Sequence, residues 1–296
     1  MSIDHDAPDD VGAERGRETR GVGPSTRVGD PAWLRWVLVT LALAFLAVFL
    51  FLPLAAIFSE ALAGGVSLYW RAITEPEARS ALRLTALTAL VAVPVNSLFG
   101  LAAAWALVNT EFRGKQALLT VIDLPFAVSP VIAGLAFVLI FGAQGLLGPW
   151  LAAHGIKIIF AVPGIWLATL FVTLPFVARE LIPLMQEQGV EEELAAFGLG
   201  AGSWQTFRRV TLPKIKWALL YGAILLNARA IGEFGAVSVV SGHVRGQTTT
   251  APLHVEILYN EYNFTAAFAV ASVLAVLALV TLAAKLFVES RSGRTA

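Results

Sequence analysis

Two opposite charges lie one helical turn apart within a long apolar segment of this 296-residue sequence. Arg229 and Glu233 are four residues apart, so on a helix they share a face and can pair. Charged side chains are costly in apolar surroundings and usually face a bundle interior or an aqueous path. One interpretation is a charged gate, in which Arg229 attracts an anion and Glu233 limits how tightly it is held. The other is a self-neutralising pair that fixes helix packing.

Three further polar residues are candidates for the same path or its outer end. Asp123 comes early in another apolar run, just before Pro125. There it can accept hydrogen bonds from backbone groups that the proline frees, or cap a broken helix near the mouth of the path. His243 and Arg245 follow the apolar run of Arg229, and they face either an external partner and gate or only solvent.

A polar segment between two apolar runs carries the other candidates. Its carboxylates favour the first turn of a short helix, near the partial positive charge of the helix end. Its alanines offer a small-residue face, its glycine permits a bend, and its aromatic residues share a face that fits an apolar slot on a partner. The alternative is a solvated amphipathic linker. The candidate contact residues are Glu191, Glu192, Glu193, Ala195, Ala196, Gly200, Trp204 and Phe207.

The composition is that of a membrane protein. Hydrophobic residues make up 57% of the chain and charged residues 14%, and the mean hydropathy is +0.73. A soluble domain of this kind would expose large apolar patches. A net charge of zero argues against a nucleic-acid partner. The sequence has no cysteine, no clustered histidines, no phosphate-binding glycine loop and no nucleophile elbow, so we expect no metal, cofactor or catalytic site on this chain.

Six apolar stretches are long enough to cross a bilayer, which takes roughly 20 residues in a helix. The sequence therefore predicts an all-α integral membrane protein whose six-helix domain covers residues 33–290. The predicted spans are Trp36–Phe58, Leu84–Val108, Ala117–Phe141, Ile158–Ala178, Trp217–Val240 and Phe264–Val288. Two amides within them, Asn96 and Asn227, are interpreted as interhelical hydrogen-bonding groups.

Lysines and arginines are distributed unequally about these spans. Most precede the first span, lie between the second and third, flank the 187–213 segment or close the chain. The positive-inside rule therefore places both termini and the 187–213 segment in the cytoplasm. Residues 1–32 and 291–296 are interpreted as cytoplasmic tails, and the first is expected to be disordered because it is too polar to bury a core. The opposite side has only Arg71, Arg79, Arg83, Lys157 and Arg245.

The 187–213 segment resembles the EAA loop of permease subunits in ABC importers. That loop has two alanines, then a glycine, then an aliphatic residue and Leu-Pro at fixed spacings, while Leu194 stands where the family has glutamate. The resemblance implies a type I ABC importer permease fold and a cytoplasmic coupling helix that docks on a separate ATPase, which alone binds ATP and Mg. The matching residues are Ala195, Ala196, Gly200, Val210, Leu212 and Pro213.

Other segments resemble a narrower group. Asp123–Leu135 is similar to the third span of sulfate and molybdate permeases, and Val237–Gly246 and Pro252–Tyr259 look like the W-type (CysW) subunits of sulfate/thiosulfate importers. The resemblance implies transport of sulfate or thiosulfate across the bacterial inner membrane. It also implies a second, different permease subunit, two ATP-binding subunits and an extracytoplasmic sulfate-binding protein.

Three alternatives stay open. A permease for molybdate, tungstate or another oxyanion would share most of these features. A gradient-driven secondary transporter would show internal repeats and spans broken by glycine or proline in matching halves, and the sequence has no matching halves. A structural membrane-assembly protein would need neither an ion pair within a span nor a docking loop.

Overall fold

The computed structural model describes residues 31–292, and all regular structure in this range is helical. Residues 1–30 and 293–296, which make up most of the two predicted tails, lie outside the described range. A π turn, Phe207–Thr211, joins α10 to α11. The α-helices are α1 (Ala32–Leu62), α2 (Val66–Thr74), α3 (Pro76–Asn109), α4 (Lys115–Ala127), α5 (Pro130–Phe141), α6 (Gly148–Ala153), α7 (Val162–Thr173), α8 (Pro175–Gln188), α9 (Glu191–Gly198), α10 (Ser203–Thr206), α11 (Leu212–Ile231), α12 (Gly235–Val240), α13 (Ala251–Asn260) and α14 (Phe264–Ser292).

The described chain divides at Pro53 into two compact units. The first contains the N-terminal part of α1, an apolar helix. The second begins at Pro53, and its largest core lies where α3, α8 and α11 pack together with α4. Polar contacts also join α3 to α7: the Asn96 amide on α3 donates to the Leu170 carbonyl and the Thr173 hydroxyl on α7, both at 2.8 Å. The prediction that Asn96 joins two helices is confirmed.

Four helical segments of the described chain are long and apolar enough to cross a membrane. A fifth span results if α4 and α5, which are bent by 109° at the break between them, are taken as one. The structure thus supports four or five of the predicted spans by length and composition, and the sixth stays a prediction. The four segments are Trp33–Leu62, Pro76–Asn109, Val162–Gln188 and Phe264–Arg291.

Two predicted spans are not continuous helices. Within Ala117–Phe141, the backbone of Val128 and Ser129 is extended, because Pro130 begins α5 and disfavours helical backbone at the residue before it. Within Trp217–Val240, α11 ends at Ile231 and α12 begins at Gly235. The first stretch therefore consists of two helices, α4 and α5, that differ in direction by 109°. The second consists of the long helix α11 and the short helix α12.

Small residues let the two interrupted stretches pack closely. A Cβ atom on Gly134 of α5 would lie 2.8 Å from the carbonyl oxygen of Ala236 on α12. A Cβ atom on Gly235 would lie 3.0 Å from the Cβ of Pro130. Close backbone approach at small residues is a common way for helices to pack within membranes.

Candidate functional site: a loop and two ion pairs

Helix α9 carries the predicted carboxylates in its first turn and ends in a glycine turn. Gly200 has a φ of +86°, the left-handed conformation that favours glycine. Its N–H donates to the Phe197 carbonyl at 2.9 Å, and the Ala201 N–H donates to the Ala196 carbonyl at 3.0 Å. These two bonds form a Schellman motif. A Cβ on Gly200 would meet no atom of the chain within 4 Å, so the backbone conformation, rather than close packing, requires glycine there.

The carboxylates of α9 have different surroundings. Glu193 Oε1 accepts a hydrogen bond from the Thr211 hydroxyl at 3.1 Å, and its side chain is only 14% exposed. Lys214 Nζ lies 3.8 Å from Glu193 Oε2 and 3.5 Å from Glu192 Oε1. The Glu192 side chain is 65% exposed, and Glu191 is also exposed. Glu193 therefore faces its own chain, while the other two carboxylates lie at the surface.

The remaining candidates in this loop form an exposed, largely apolar surface. No residue of α9 is buried; Ala195 is exposed and Ala196 half-buried. Trp204 and Phe207 stack with their ring centroids 5.6 Å apart, as residues on one helical face should. We call this surface the coupling-loop surface. Its exposed apolar side chains are Leu194, Phe197, Leu199 and Trp204.

The π turn arises where α11 begins. Pro213 has no N–H to donate to the carbonyl of Arg209, and its ring crowds that carbonyl, so a regular α-helical ladder cannot continue through this position. The Leu212 N–H instead bonds to the Phe207 carbonyl, five residues back. Pro213 thus lies in the first turn of α11, where its missing N–H is tolerated, although the helical path continues upstream.

Arg229 and Glu233 meet as an ion pair at the end of α11. Arg229 Nη1 lies 2.5 Å from Glu233 Oε2, and the Glu233 side chain is 1% exposed. The other carboxylate oxygen, Oε1, accepts the N–H of Ala236 at 2.9 Å. Glu233 therefore satisfies a backbone donor in the first turn of α12 in addition to pairing with Arg229. The sequence predicted the pair, but not the contact with α12.

Asp123 forms a second ion pair, with a partner that sequence reasoning missed. Its Oδ1 accepts a hydrogen bond from Arg179 Nε at 2.7 Å, and the two side chains are 45% and 54% exposed. The Arg179 guanidinium also lies over the Phe126 ring, 4.5 Å from its centroid. Arg179 is a basic residue close to the start of the 187–213 segment, and nothing in its local sequence indicates a partner 56 positions earlier in the chain.

His243 and Arg245 lie within ion-pair distance of carboxylates on other segments of the chain. Arg245 pairs with Glu77 at 3.2 Å and with Glu261. His243 Nε2 lies 3.8 Å from Glu256 Oε2. The predicted contact of these two residues with an external partner stays a prediction, because their described contacts hold the loop to α3 and α13.

The nearby His254 on α13 is almost fully buried. Burial lowers its pKa below the ordinary value, and the Glu77 carboxylate acts in the opposite direction. Burial therefore favours the neutral form of its ring. Across residues 31–292, no group of three or more histidine or carboxylate side chains is arranged to hold a metal ion.

Comparison with known proteins decides the family. The model of the binding-protein-dependent transport system inner membrane component matches residues 96–293, more than half of the chain. The chain belongs to this family. It is accordingly a multi-pass membrane permease of the ABC importer type and not an enzyme, and its helical fold agrees with that assignment.

Relatives and a solved structure place the chain more narrowly. It is 52% identical over 260 residues to the sulfate transport system permease protein CysW of Synechocystis sp., covering 88% of this chain and 94% of the relative. It is 38% identical to CysT, a sulfate transport system permease protein of Escherichia coli, covering 86% and 91%. The fold matches a chain of a bacterial alginate ABC transporter, solved with an alginate pentasaccharide-bound periplasmic protein, with a TM-score of 0.72, 17% identity, and coverage of 89% and 95%.

Proposed function

We propose that this chain is the W-type membrane subunit of an ATP-driven sulfate/thiosulfate importer, in which it forms part of the path for the anion. The observation that carries the proposal is the 52% identity to a CysW sulfate permease over nearly the whole of both chains. The lower identity of 38% to a CysT permease favours the W-type subunit. The ion pairs are consistent with a permease that binds an anion, and the coupling-loop surface is consistent with contact to a separate ATPase subunit.

The coupling-loop surface docks on the ATPase subunit. Exposed apolar side chains on a short helix outside the spans need a partner surface to cover them, and the Schellman turn fixes how the helix is presented. Leu194 is exposed on this surface, so the partner groove meets an apolar group where the family's pattern has glutamate. The docking residues are Glu191, Glu192, Ala195, Ala196, Gly200, Trp204 and Phe207.

The complex contains a second, T-type permease subunit, two ATP-binding subunits that carry ATP and Mg, and an extracytoplasmic sulfate-binding protein. The similarity to CysT supports two related but different membrane subunits. The fold match to a transporter solved with its periplasmic protein supports delivery by a binding protein. The chain lies in the bacterial inner membrane, with its termini and coupling loop in the cytoplasm and with His243 and Arg245 outside. Arg229, Glu233 and Asp123 border the translocation path or its gate.

Assembly and transport test the proposal together. The complex is purified from membranes through a tag on this chain, and sulfate, thiosulfate and molybdate uptake are measured in proteoliposomes with the binding protein. We expect the ATPase and a second permease to co-purify, and sulfate or thiosulfate uptake to depend on ATP. The proposal would be overturned if no ATPase co-purified with the tagged chain, or if the reconstituted complex took up only molybdate.

Gly200→Val is the matched test of the docking loop. A β-branched residue is strained at a φ of +86°, so the turn after α9 should distort and the ATPase should be lost while the chain still inserts. Gly202→Val is the control. The backbone of Gly202 is extended, with a φ of −75° and a ψ of 161°, and an added Cβ would meet no atom within 4 Å. Equal ATPase recovery with both variants would contradict the docking assignment.

The orientation is tested with single cysteines in this cysteine-free chain. Gln205, beside the coupling loop, and Gln247, in the outer loop, are both exposed. We expect a membrane-impermeant thiol reagent to label Gln247→Cys in intact cells and Gln205→Cys only after the cytoplasmic side is opened. Labelling of both from one side would overturn the arrangement of spans.

A further inference from the structure

Helix α9 is held to the rest of the chain by polar contacts rather than by a core. None of its residues is buried, and its neighbours are mainly α10 and the π turn. Glu193 is its least exposed carboxylate, and its hydrogen bond to Thr211 joins residues that are 18 positions apart. Thr211 itself is buried and stands directly before α11.

Helix α11 connects this contact to the buried ion pair without a break. It runs from Leu212 to Ile231, a length of roughly 28 Å at 1.5 Å per residue. Its first turn carries Lys214, which faces Glu193, and its last turn carries Arg229, which pairs with Glu233. Glu233 in turn accepts the Ala236 N–H of α12. One continuous helix therefore has the contact with α9 at one end and the ion pair at the other.

We propose that Glu193 is a positioning residue that clamps the coupling helix α9 to the first turn of α11, through Thr211 and Lys214. This inference rests on the proposed function, since it concerns how a displacement of the docked loop reaches the membrane helices. With the clamp in place, motion of α9 displaces α11 and with it the Arg229–Glu233 pair. Without the clamp, α9 still moves with the ATPase, but its displacement is no longer transmitted to α11.

The geometry separates this role from direct docking. A docking carboxylate has to be accessible to the partner, as Glu191 and Glu192 are. The Glu193 side chain is turned inward onto a buried hydroxyl and a lysine that is itself only 18% exposed. Glu193 is thus removed from the predicted docking set and given a contact within its own chain.

The test compares Glu193→Ala and Thr211→Val with Glu111→Gln in the complete reconstituted complex. Glu111 also pairs with a lysine, Lys115, but its side chain is 90% exposed and it lies outside the docking set, so Glu111→Gln is the matched control. We expect both clamp variants to retain the ATPase, and sulfate uptake per ATP hydrolysed to fall roughly tenfold, the scale expected for losing a hydrogen bond to a charged group. Glu193→Gln should keep most of the coupling, because its amide oxygen still accepts from Thr211.

Three results would overturn the clamp. The first is loss of the ATPase from Glu193→Ala, which would make Glu193 a docking residue. The second is normal uptake per ATP in both Glu193→Ala and Thr211→Val. The third is a Glu193→Gln variant as uncoupled as Glu193→Ala. If Glu193→Ala does not accumulate, the nearly isosteric Thr211→Val decides by the same measure. Failure of the proposed function would appear differently, as a wild-type chain that recovers no ATPase.

Discussion

Two ion pairs of this protein, Arg229–Glu233 and Arg179–Asp123, have opposite surroundings. Glu233 of the Arg229–Glu233 pair is almost completely enclosed, and it also bonds to the backbone of α12. The Arg179–Asp123 pair is about half exposed on both sides and has the Phe126 ring against its guanidinium. Both pairs have short contacts, so distance alone does not distinguish them.

The difference indicates different tasks. A buried carboxylate that satisfies an arginine and a helix N–H fixes the junction between α11 and α12, and removing its partner leaves a charge in a poorly solvated place. A half-exposed pair on apolar helices is costly against lipid, so its open side should face water or a partner chain. The first pair therefore holds the junction between α11 and α12, whereas the second leaves its open side accessible.

The largest expected effect comes from breaking the buried pair on one side only. Arg229→Ala strands the Glu233 carboxylate, a change that costs about 3–5 kcal/mol when a buried pair loses one partner. We expect a severe loss of protein from the membrane. The double variant Arg229→Ala with Glu233→Gln should recover much of it, because the glutamine oxygen can still accept the Ala236 N–H.

Membrane abundance and sulfate uptake per molecule, measured separately, complete this test. The variant Arg229→Ala with Glu233→Ala serves as the control, since it removes the contact with α12 as well as the charges. If the pair is mainly structural, the Glu233→Gln double variant should transport almost normally. Recovered abundance without uptake would instead place Arg229 beside the anion, and equal abundance of all three variants would contradict the buried, helix-bonded description of Glu233.

A smaller effect on stability is expected at the half-exposed pair. Exposed ion pairs contribute about 0–1 kcal/mol, so Arg179→Ala and Asp123→Asn should change the midpoint of thermal unfolding of the purified complex only slightly. If Asp123 borders the path, as the proposed function has it, uptake should fall more than stability does. The measurement is uptake and thermal unfolding on the same preparations.

The exchanged pair, Asp123→Arg with Arg179→Asp, is the control for this prediction. It restores opposite charges but reverses their positions and removes the guanidinium from Phe126. Uptake restored by the exchange would show that pairing alone matters and would remove the distinction drawn between the two sites. A large loss of stability in the single variants would also contradict it.

Local patterns in the sequence predicted the features that depend on neighbours along the chain. The carboxylates at the start of α9, the stacking of Trp204 on Phe207 and the pairing of Arg229 with Glu233 all follow from helical spacing. Asn96 was also interpreted correctly, because a buried amide in an apolar helix needs a partner on another helix.

Features that depend on distant residues were not predictable in this way. Asp123 and Arg179 are 56 positions apart, and no periodicity relates them. The inward turn of Glu193 depends on Thr211, which a π turn brings opposite α9. The break at Ser129 was missed for another reason: apolar composition identifies a stretch long enough to span, but composition does not reveal that Pro130 begins a new helix.

The π turn before α11 sets the direction in which the coupling loop points. An α-helix rotates by about 100° per residue, so the single extra residue of a π turn shifts the phase of everything before it by about that angle. The stacked pair Trp204 and Phe207 lies at or before this turn, while the membrane helix lies after it. The length of Phe207–Thr211 thus sets the rotation of the coupling-loop surface about the helix axis: one residue more or fewer would turn the same side chains in a different direction, with no change in the surface itself.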